Sequence, residues 1–187
     1  MRNVTLLLEN IVKKAYLYPL IEAFPRMRKC RLSAVKYHLK RNGMEIIRAT
    51  KTAQQAGAYY VRIQAMARKH QIPLDEEFDE HDTPETKYIV AVDDYLPVAT
   101  CRLYAIDPER VMLGRIVVLP EYRHKGLGTR VVEEAERWAR ELGYEVAVVE
   151  SRDNKIHFYE TMGYAVDYSQ KIVGNTFTCF RMEKKLT

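Results

Sequence analysis

Cysteine is scarce and scattered: Cys30, Cys101 and Cys179 form an odd set without a C-x-x-C pair. That excludes a disulfide framework and a structural zinc site, and leaves three reduced, packed thiols as the reading. Long apolar runs are missing as well. No stretch approaches the ~18–20 residues of a membrane span, and the opening Met1-Arg2-Asn3-Val4-Thr5-Leu6-Leu7-Leu8-Glu9 meets a charge too early for a signal h-region. Internal repeats and low-complexity tracts are absent too. What is there, 187 residues at 47% hydrophobic and 29% charged, matches one or two ordinary globular domains, expected to be soluble and cytoplasmic with no membrane partner.

The net charge of +5 is unevenly spread. Residues 1–43 carry ten Lys/Arg against Glu9 and Glu22, a net +8, so the remainder, with 20 basic against 23 acidic residues, stands at −3. A mildly acidic body behind a basic segment argues against a uniformly basic nucleic-acid binder. In that segment Val4, Leu7, Leu8, Ile11, Ala15 and Tyr18 recur at helical spacing, Pro19 and Pro25 interrupt, and a second helix is expected from about 27 to 41 before Asn42-Gly43. Residues 1–43 are therefore expected to be a basic helical extension. Its apolar stripe suits packing on the body or in a homodimer, since its basic residues form no continuous polar face for a membrane.

From residue 44 to 187 the pattern is regular. A strand over 44–49 precedes a helix over 52–70 with Ala56, Tyr59, Tyr60, Ile63, Met66 and Ala67 on its apolar side. Strands over 88–92 and 98–104 flank Asp93-Asp94-Tyr95-Leu96-Pro97 as a hairpin, and a third strand spans 111–118. Then come a helix over 127–142 closed by Gly143, a strand over 145–150, a short helix over 155–162 closed by Gly163, and a final strand over 177–184 that reads as an edge partner. Antiparallel strands first and a βαβ unit afterwards imply an α/β (α+β) fold, a mixed sheet with helices on both faces.

The most informative stretch is Arg115-Ile116-Val117-Val118-Leu119-Pro120-Glu121-Tyr122-Arg123-His124-Lys125-Gly126-Leu127-Gly128-Thr129-Arg130. A strand turning through glycines into a helix makes backbone N–H groups and the positive helix end converge, which is an anion cradle. Gly126 and Gly128 let the backbone approach phosphate oxygens, Arg123 and Lys125 add charge, and the Thr129 hydroxyl lies in the first helical turn. The bland alternative is a tight strand-to-helix turn with solvated charges. No G-x-x-x-x-G-K-[ST] and no G-x-G-x-x-G with a distant acidic partner is present.

A second stretch, Asn154-Lys155-Ile156-His157-Phe158-Tyr159-Glu160-Thr161-Met162-Gly163-Tyr164, follows one βα unit later. Together the two resemble the GNAT superfamily of acetyl-CoA-dependent N-acetyltransferases: R/Q-x-x-G-x-G/A is matched by Arg123 to Gly128, and N…FYxxxGY/F by Asn154 and Phe158 to Tyr164. The resemblance covers residues 44–187. Within it, Ile72 to Asp82 and Leu113 to Val118 look like a subgroup of small bacterial GNAT proteins.

The resemblance implies a mostly antiparallel sheet with one splayed parallel pair, acetyl-CoA as co-substrate, and no metal. Ile116, Val117 and Val118 would offer backbone groups to the pantetheine arm and acetyl carbonyl. Arg123, His124, Lys125, Gly126, Leu127, Gly128 and Thr129 would hold the pyrophosphate, and Asn154 would contact the cofactor. Tyr159 matches the family's general acid, which protonates the departing thiolate while a neutral amine attacks the thioester directly. Without the motif, Tyr159 reads as a packed aromatic.

No strand carboxylate is available as general base, because Gly114 and Arg115 stand where some family members carry a glutamate. Glu150, His157, and His81 or the acidic residues around it are the candidates. The acidic segment 75–82 reads either as a negative rim attracting a cationic acceptor, such as a polyamine, an aminoglycoside, a lysine side chain or a peptide N-terminus, or as a solvated helix start. Three functions stay open: an acetyltransferase acting on a small-molecule or peptide amine, a CoA-binding module without efficient chemistry, and an interaction or nucleic-acid protein using the basic arm.

Overall fold

The computed structural model describes residues 43–174 and 176–186. Cys30 and the two helices expected within 4–41 lie outside the described residues. The chain enters a strand, β1 (Glu45–Ala49), and then helix α1 (Thr52–Arg62), which continues through a π segment, Ile63–Ala67, into a last turn, Arg68–His70. At the helix start Gln54 Oε1 accepts from the N–H groups of Thr50 (2.9 Å) and Lys51 (3.0 Å), satisfying donors that precede the helical ladder. Gln71, left-handed at φ 56°, ends the last turn. The short α2 (Leu74–Glu77) leads to the hairpin of β2 (Lys87–Asp93) and β3 (Leu96–Ala105). Its loop is only Asp94-Tyr95, shorter than the sequence pattern predicts, because Asp94 adopts φ 57° and closes the turn at once.

Next come β4 (Arg110–Val118), a 3₁₀ turn (Pro120–Tyr122), α3 (Leu127–Glu141), β5 (Val146–Arg152), a second 3₁₀ turn (Asp153–Lys155), α4 (Ile156–Glu160), β6 (Ala165–Val173) and β7 (Thr178–Lys185). They form one seven-stranded sheet in the order β1-β2-β3-β4-β5-β7-β6. Every pairing is antiparallel except β4 with β5. The mixed sheet expected from the sequence is thus the one observed. The final strand is not an edge: β7 lies between β5 and β6, with Met182 fully buried opposite Val149. Alternation alone cannot tell an edge from an interior strand; the hairpin return from an outer β6 decides it.

Alternate residues of β2 sort the two faces. Tyr88 and Val90 cluster with Ala58 of α1, whereas Ile89 and Ala91 belong to the larger cluster that holds Val131, Val132 and Ala135 of α3. Each fully buried valine there contributes roughly 1.5–3 kcal/mol relative to exposure. α1 sits close to the sheet because Gly57 has no side chain; a Cβ there would come within 2.9 Å of Pro97 Cγ. Its buried face is only partly the expected one: Ala67 is buried and Tyr59 and Met66 pack against the core. Ala56 and Tyr60 are exposed, and Gly57, Ala58, Val61, Arg62 and Ala65 are buried. A stripe containing arginine reads as outward in any hydropathy pattern. On the α3 face, buried Glu136 accepts from the Tyr164 hydroxyl (2.9 Å) and Lys184 Nζ (2.6 Å), so its charge is paired rather than stranded.

Candidate functional site

The site begins where β4 and β5 part. They pair only at Arg110–Val146, Val111–Ala147 and Met112–Val148, after which β4 continues to Val118 and β5 to Arg152 without meeting. A bulge in β4 accompanies the parting: Thr100 faces Val117 and Arg102 faces Gly114, leaving one extra residue on β4. Arg115 takes it up at φ 50°. A bulge bends its strand and re-aims the side chains beside it. The result is a cleft of about 1060 Å³ whose walls include the ends of both strands.

One wall is the cradle. His124 (φ 58°) and Gly126 (φ 73°) are both left-handed, and Gly126 caps α3 without any side-chain cap. The first intrahelical bond runs from the Arg130 N–H to the Gly126 carbonyl (3.1 Å), so the N–H groups of Leu127, Gly128 and Thr129 precede the ladder. A Cβ on Gly126 would meet nothing within 4 Å, so the backbone borders open space. These features fit an anionic group such as a pyrophosphate at the helix end. Gly128 has a packing reason as well, since a Cβ there would lie 3.4 Å from the Phe158 ring. Arg123 Nε donates to the Val118 carbonyl (3.0 Å), fixing the loop to the strand end.

The cleft lining includes Ile116, Val117, Val118, Arg123, His124, Gly126, Leu127, Gly128, Thr129, Asn154 and Tyr159. Lys125 is not in it: its Nζ donates to the Glu121 carbonyl (2.9 Å) and sits over the Tyr122 ring (5.1 Å). Tyr159 is 8% exposed, edge-on to Phe158 and Tyr164. Burial pushes its phenol well above the ordinary value, while the charge of Arg152 acts in the opposite sense. The phenol therefore keeps its proton across the neutral range.

Of the base candidates, Glu150 and Asp79 line this cleft; Glu150 is joined to Arg181 Nη2 (3.3 Å), and Asp79 is held by Arg102 and Arg115. The His157 side chain is 90% exposed and faces Glu160 (3.7 Å). His81 stacks on Tyr104 (3.8 Å between centroids) beside a separate small cavity.

The opposite wall overturns the acidic-rim expectation for three of its carboxylates. Arg62, fully buried, holds Glu77 (2.8 Å) and Asp82 (2.5 Å), and its Nη2 also donates to the Glu77 carbonyl. Arg102 grips Asp79 through both Nη atoms (2.6 and 2.9 Å) and reaches Asp82 (2.8 Å), while Arg115 Nη2 reaches Asp79 (3.0 Å). Burial alone would raise the Asp79 and Asp82 pKa values, but the arginines and their hydrogen bonds hold both below the carboxylate range. Half of the acidic run, Glu77, Asp79 and Asp82, is the counter-charge of a buried arginine cluster, while Asp75 and Glu76 are exposed in the first turn of α2, as a solvated helix start requires. The one visible signal was Arg102 standing within the apolar strand Val98 to Leu103.

Four further cleft residues carried no sequence signal of a place in the site: His70, Met66, Arg152 and Phe177. Arg152 stacks on Phe177 (3.8 Å) and its Nη2 points at Met66 Sδ (3.6 Å), while His70 meets Phe177 edge-on (5.1 Å). The π segment of α1 adds a residue to its last turns, which changes the face that Met66 and His70 present. Burial, then the charges of Arg152, Lys69 and Arg123, lower the His70 pKa, so its imidazole is neutral near pH 7.

Comparison with known proteins places this geometry. Residues 54–164 match the family model described as acetyltransferase (GNAT) family. The uncharacterized N-acetyltransferase YjcF of Bacillus subtilis (strain 168) is 28% identical over 123 residues, covering 66% of this chain and 86% of that protein. A Lactobacillus plantarum protein assigned as an N-acetyltransferase superposes with a TM-score of 0.73 at 29% identity, over 78% of this chain and 100% of its own. A GNAT family acetyltransferase from Elizabethkingia anophelis, solved with acetyl-CoA bound, shares the fold at a TM-score of 0.57 and 14% identity, over 77% and 99% of the two chains.

Proposed function

This chain belongs to the GNAT acetyltransferase family, and from that premise we propose that it transfers the acetyl group of acetyl-CoA to an amine. The observation that best supports the reading is that the helix-end cradle, the parted strands and the Tyr159 phenol open into one cleft. The N–H groups of Leu127, Gly128 and Thr129, with Arg123, hold the pyrophosphate, and Asn154 contacts the cofactor from the β5 side. The edge of β4 over Ile116 to Val118 is unpaired on its β5 side and offers backbone groups to the pantetheine arm. Acetyl-CoA, when bound, supplies an acetyl group activated as a thioester.

The chain's own residues manage the protons. Tyr159 holds its phenolic proton in a buried site, ready for the thiolate that leaves. Glu150, on the exposed side of β5, takes the proton from the acceptor amine, directly or through water. The pairs Arg102–Asp79 and Arg115–Asp79 hold the bulge rigid from the other wall. The body 44–187 is the catalytic domain in this reading, with residues 1–43 an extension that the chemistry does not need. A cytoplasmic location follows from the reduced-thiol reading of its cysteines.

Calorimetric titration of the full chain with acetyl-CoA tests the proposal. Micromolar binding is expected, weakened at least ~100-fold in Gly126→Glu, which puts bulk and negative charge into the cradle. No binding by the unaltered protein sinks the reading. Binding without thiol release against any amine points instead to a CoA-binding module, a reading favoured by the lack of a strand carboxylate beside Gly114.

A further inference from the structure

The charges lining the cleft around Arg152 do not balance. Asp79 is consumed by Arg102 and Arg115, which leaves Glu150, in a single 3.3 Å contact with Arg181, as the carboxylate of the described cleft lining still open to a ligand. Arg152 has no carboxylate partner among the described residues. Its guanidinium is held in place by the Phe177 ring on its face (3.8 Å) and by Met66 Sδ (3.6 Å), a weak acceptor that leaves its hydrogen-bonding capacity largely unspent. Lys69 and His70 line the same cleft and bring no compensating negative charge. An arginine fixed flat against an aromatic ring, with its fork free, is a receptor for a planar anion.

We propose that the acceptor amine also carries a carboxylate, and that Arg152 is the residue that recognises it. This rests on the acetyltransferase reading and names its substrate class. Arg152 follows Glu150 by two positions on β5, so both side chains leave the same face roughly 7 Å apart. An anion and a cation in that order suit a zwitterion: the ammonium end meets Glu150, which takes its proton, and the carboxylate end meets the Arg152 fork. The cradle has its own cation in Arg123. A polyamine or aminoglycoside, by contrast, would bring several positive charges against Arg152 and Lys69 with only Glu150 to offset them.

The test pairs amino acids with the decarboxylated amines of the same side chain, L-phenylalanine with phenethylamine and L-lysine with cadaverine, compared at equal neutral-amine concentration by thiol release from acetyl-CoA. The carboxylate-bearing member is expected to be preferred by about tenfold or more in kcat/KM, as a charge-assisted fork implies. Arg152→Gln should abolish that preference while leaving acetyl-CoA affinity unchanged. As an arm independent of turnover, the CoA-loaded protein is titrated with N-acetyl-L-phenylalanine and N-acetylphenethylamine; only the carboxylate should bind measurably, and Arg152→Gln should lose it. Preference for the decarboxylated amines, equal binding of the two N-acetyl compounds, no binding of either, or a tenfold loss of acetyl-CoA affinity in Arg152→Gln each overturns the proposal. Failure of the unaltered protein to bind acetyl-CoA is a different result, since it removes the underlying activity.

Discussion

The two walls of the cleft are made in different ways. The cradle wall is built of backbone: one loop, two left-handed residues and the first turn of α3 aim N–H groups at one point, and its Lys125 is turned away. The opposite wall is built of side chains, with Arg62, Arg102 and Arg115 clamping Glu77, Asp79 and Asp82 between α1, the α2 segment, β3 and β4. A backbone site is damaged locally, by filling it. A wall of buried ion pairs is part of the fold, so removing one partner strands a charge and costs stability throughout.

The sharpest way to break this contrast is Arg62→Ala. It leaves Glu77 and Asp82 buried without their partner and should cost about 3–5 kcal/mol in urea unfolding, with acetyl-CoA affinity of the folded fraction unchanged. A loss under 1 kcal/mol would mean that the cluster is not structural. Tyr159→Phe should do the reverse: about 10²–10⁴-fold slower thiol release with the unfolding midpoint and acetyl-CoA affinity nearly intact, and retained turnover would remove the acid role.

Acid sharpens the comparison further. Asp79 and Asp82 have folded-state pKa values below the unfolded value of about 3.9, so their stabilisation is complete at neutral pH and is lost as the pH falls through and below that value. Unfolding free energy of the unaltered protein should drop in that window, and Asp82→Asn should flatten the drop. The smallest expected effect is that of Lys125→Ala. Because the ammonium already serves the Glu121 carbonyl, acetyl-CoA affinity should change by less than about threefold, in line with a single exposed hydrogen bond. A tenfold loss would bring Lys125 back into the cradle.

Elements were legible where the signal was local. The helix over 127–142, the glycine stops at 143 and 163, and the strand-to-helix turn at 123–128 follow from spacing and from backbone conformations that glycine tolerates, and they appear at those positions. The apolar pattern of α1 places Tyr59, Met66 and Ala67 inward but not Arg62, which is interior only by virtue of Glu77 and Asp82, 15 and 20 residues further on. The placement of β7 inside the sheet was not visible either, since period-two alternation is the same for inner and outer strands.

By itself, then, the sequence determined the family, the order of the elements and the strand-to-helix turn with its free N–H groups, because such a turn uses contiguous backbone and needs only glycines and a capping residue in the right order. Tertiary structure alone decided the other wall. Met66, His70, Arg152 and Phe177 are brought together by a π turn, a strand end and the approach to β7, and Glu77, Asp79 and Asp82 of the acidic run go to arginines rather than to water. Which charge stays free to meet a ligand depends on which others are already paired, and pairing is a long-range property that no local pattern records.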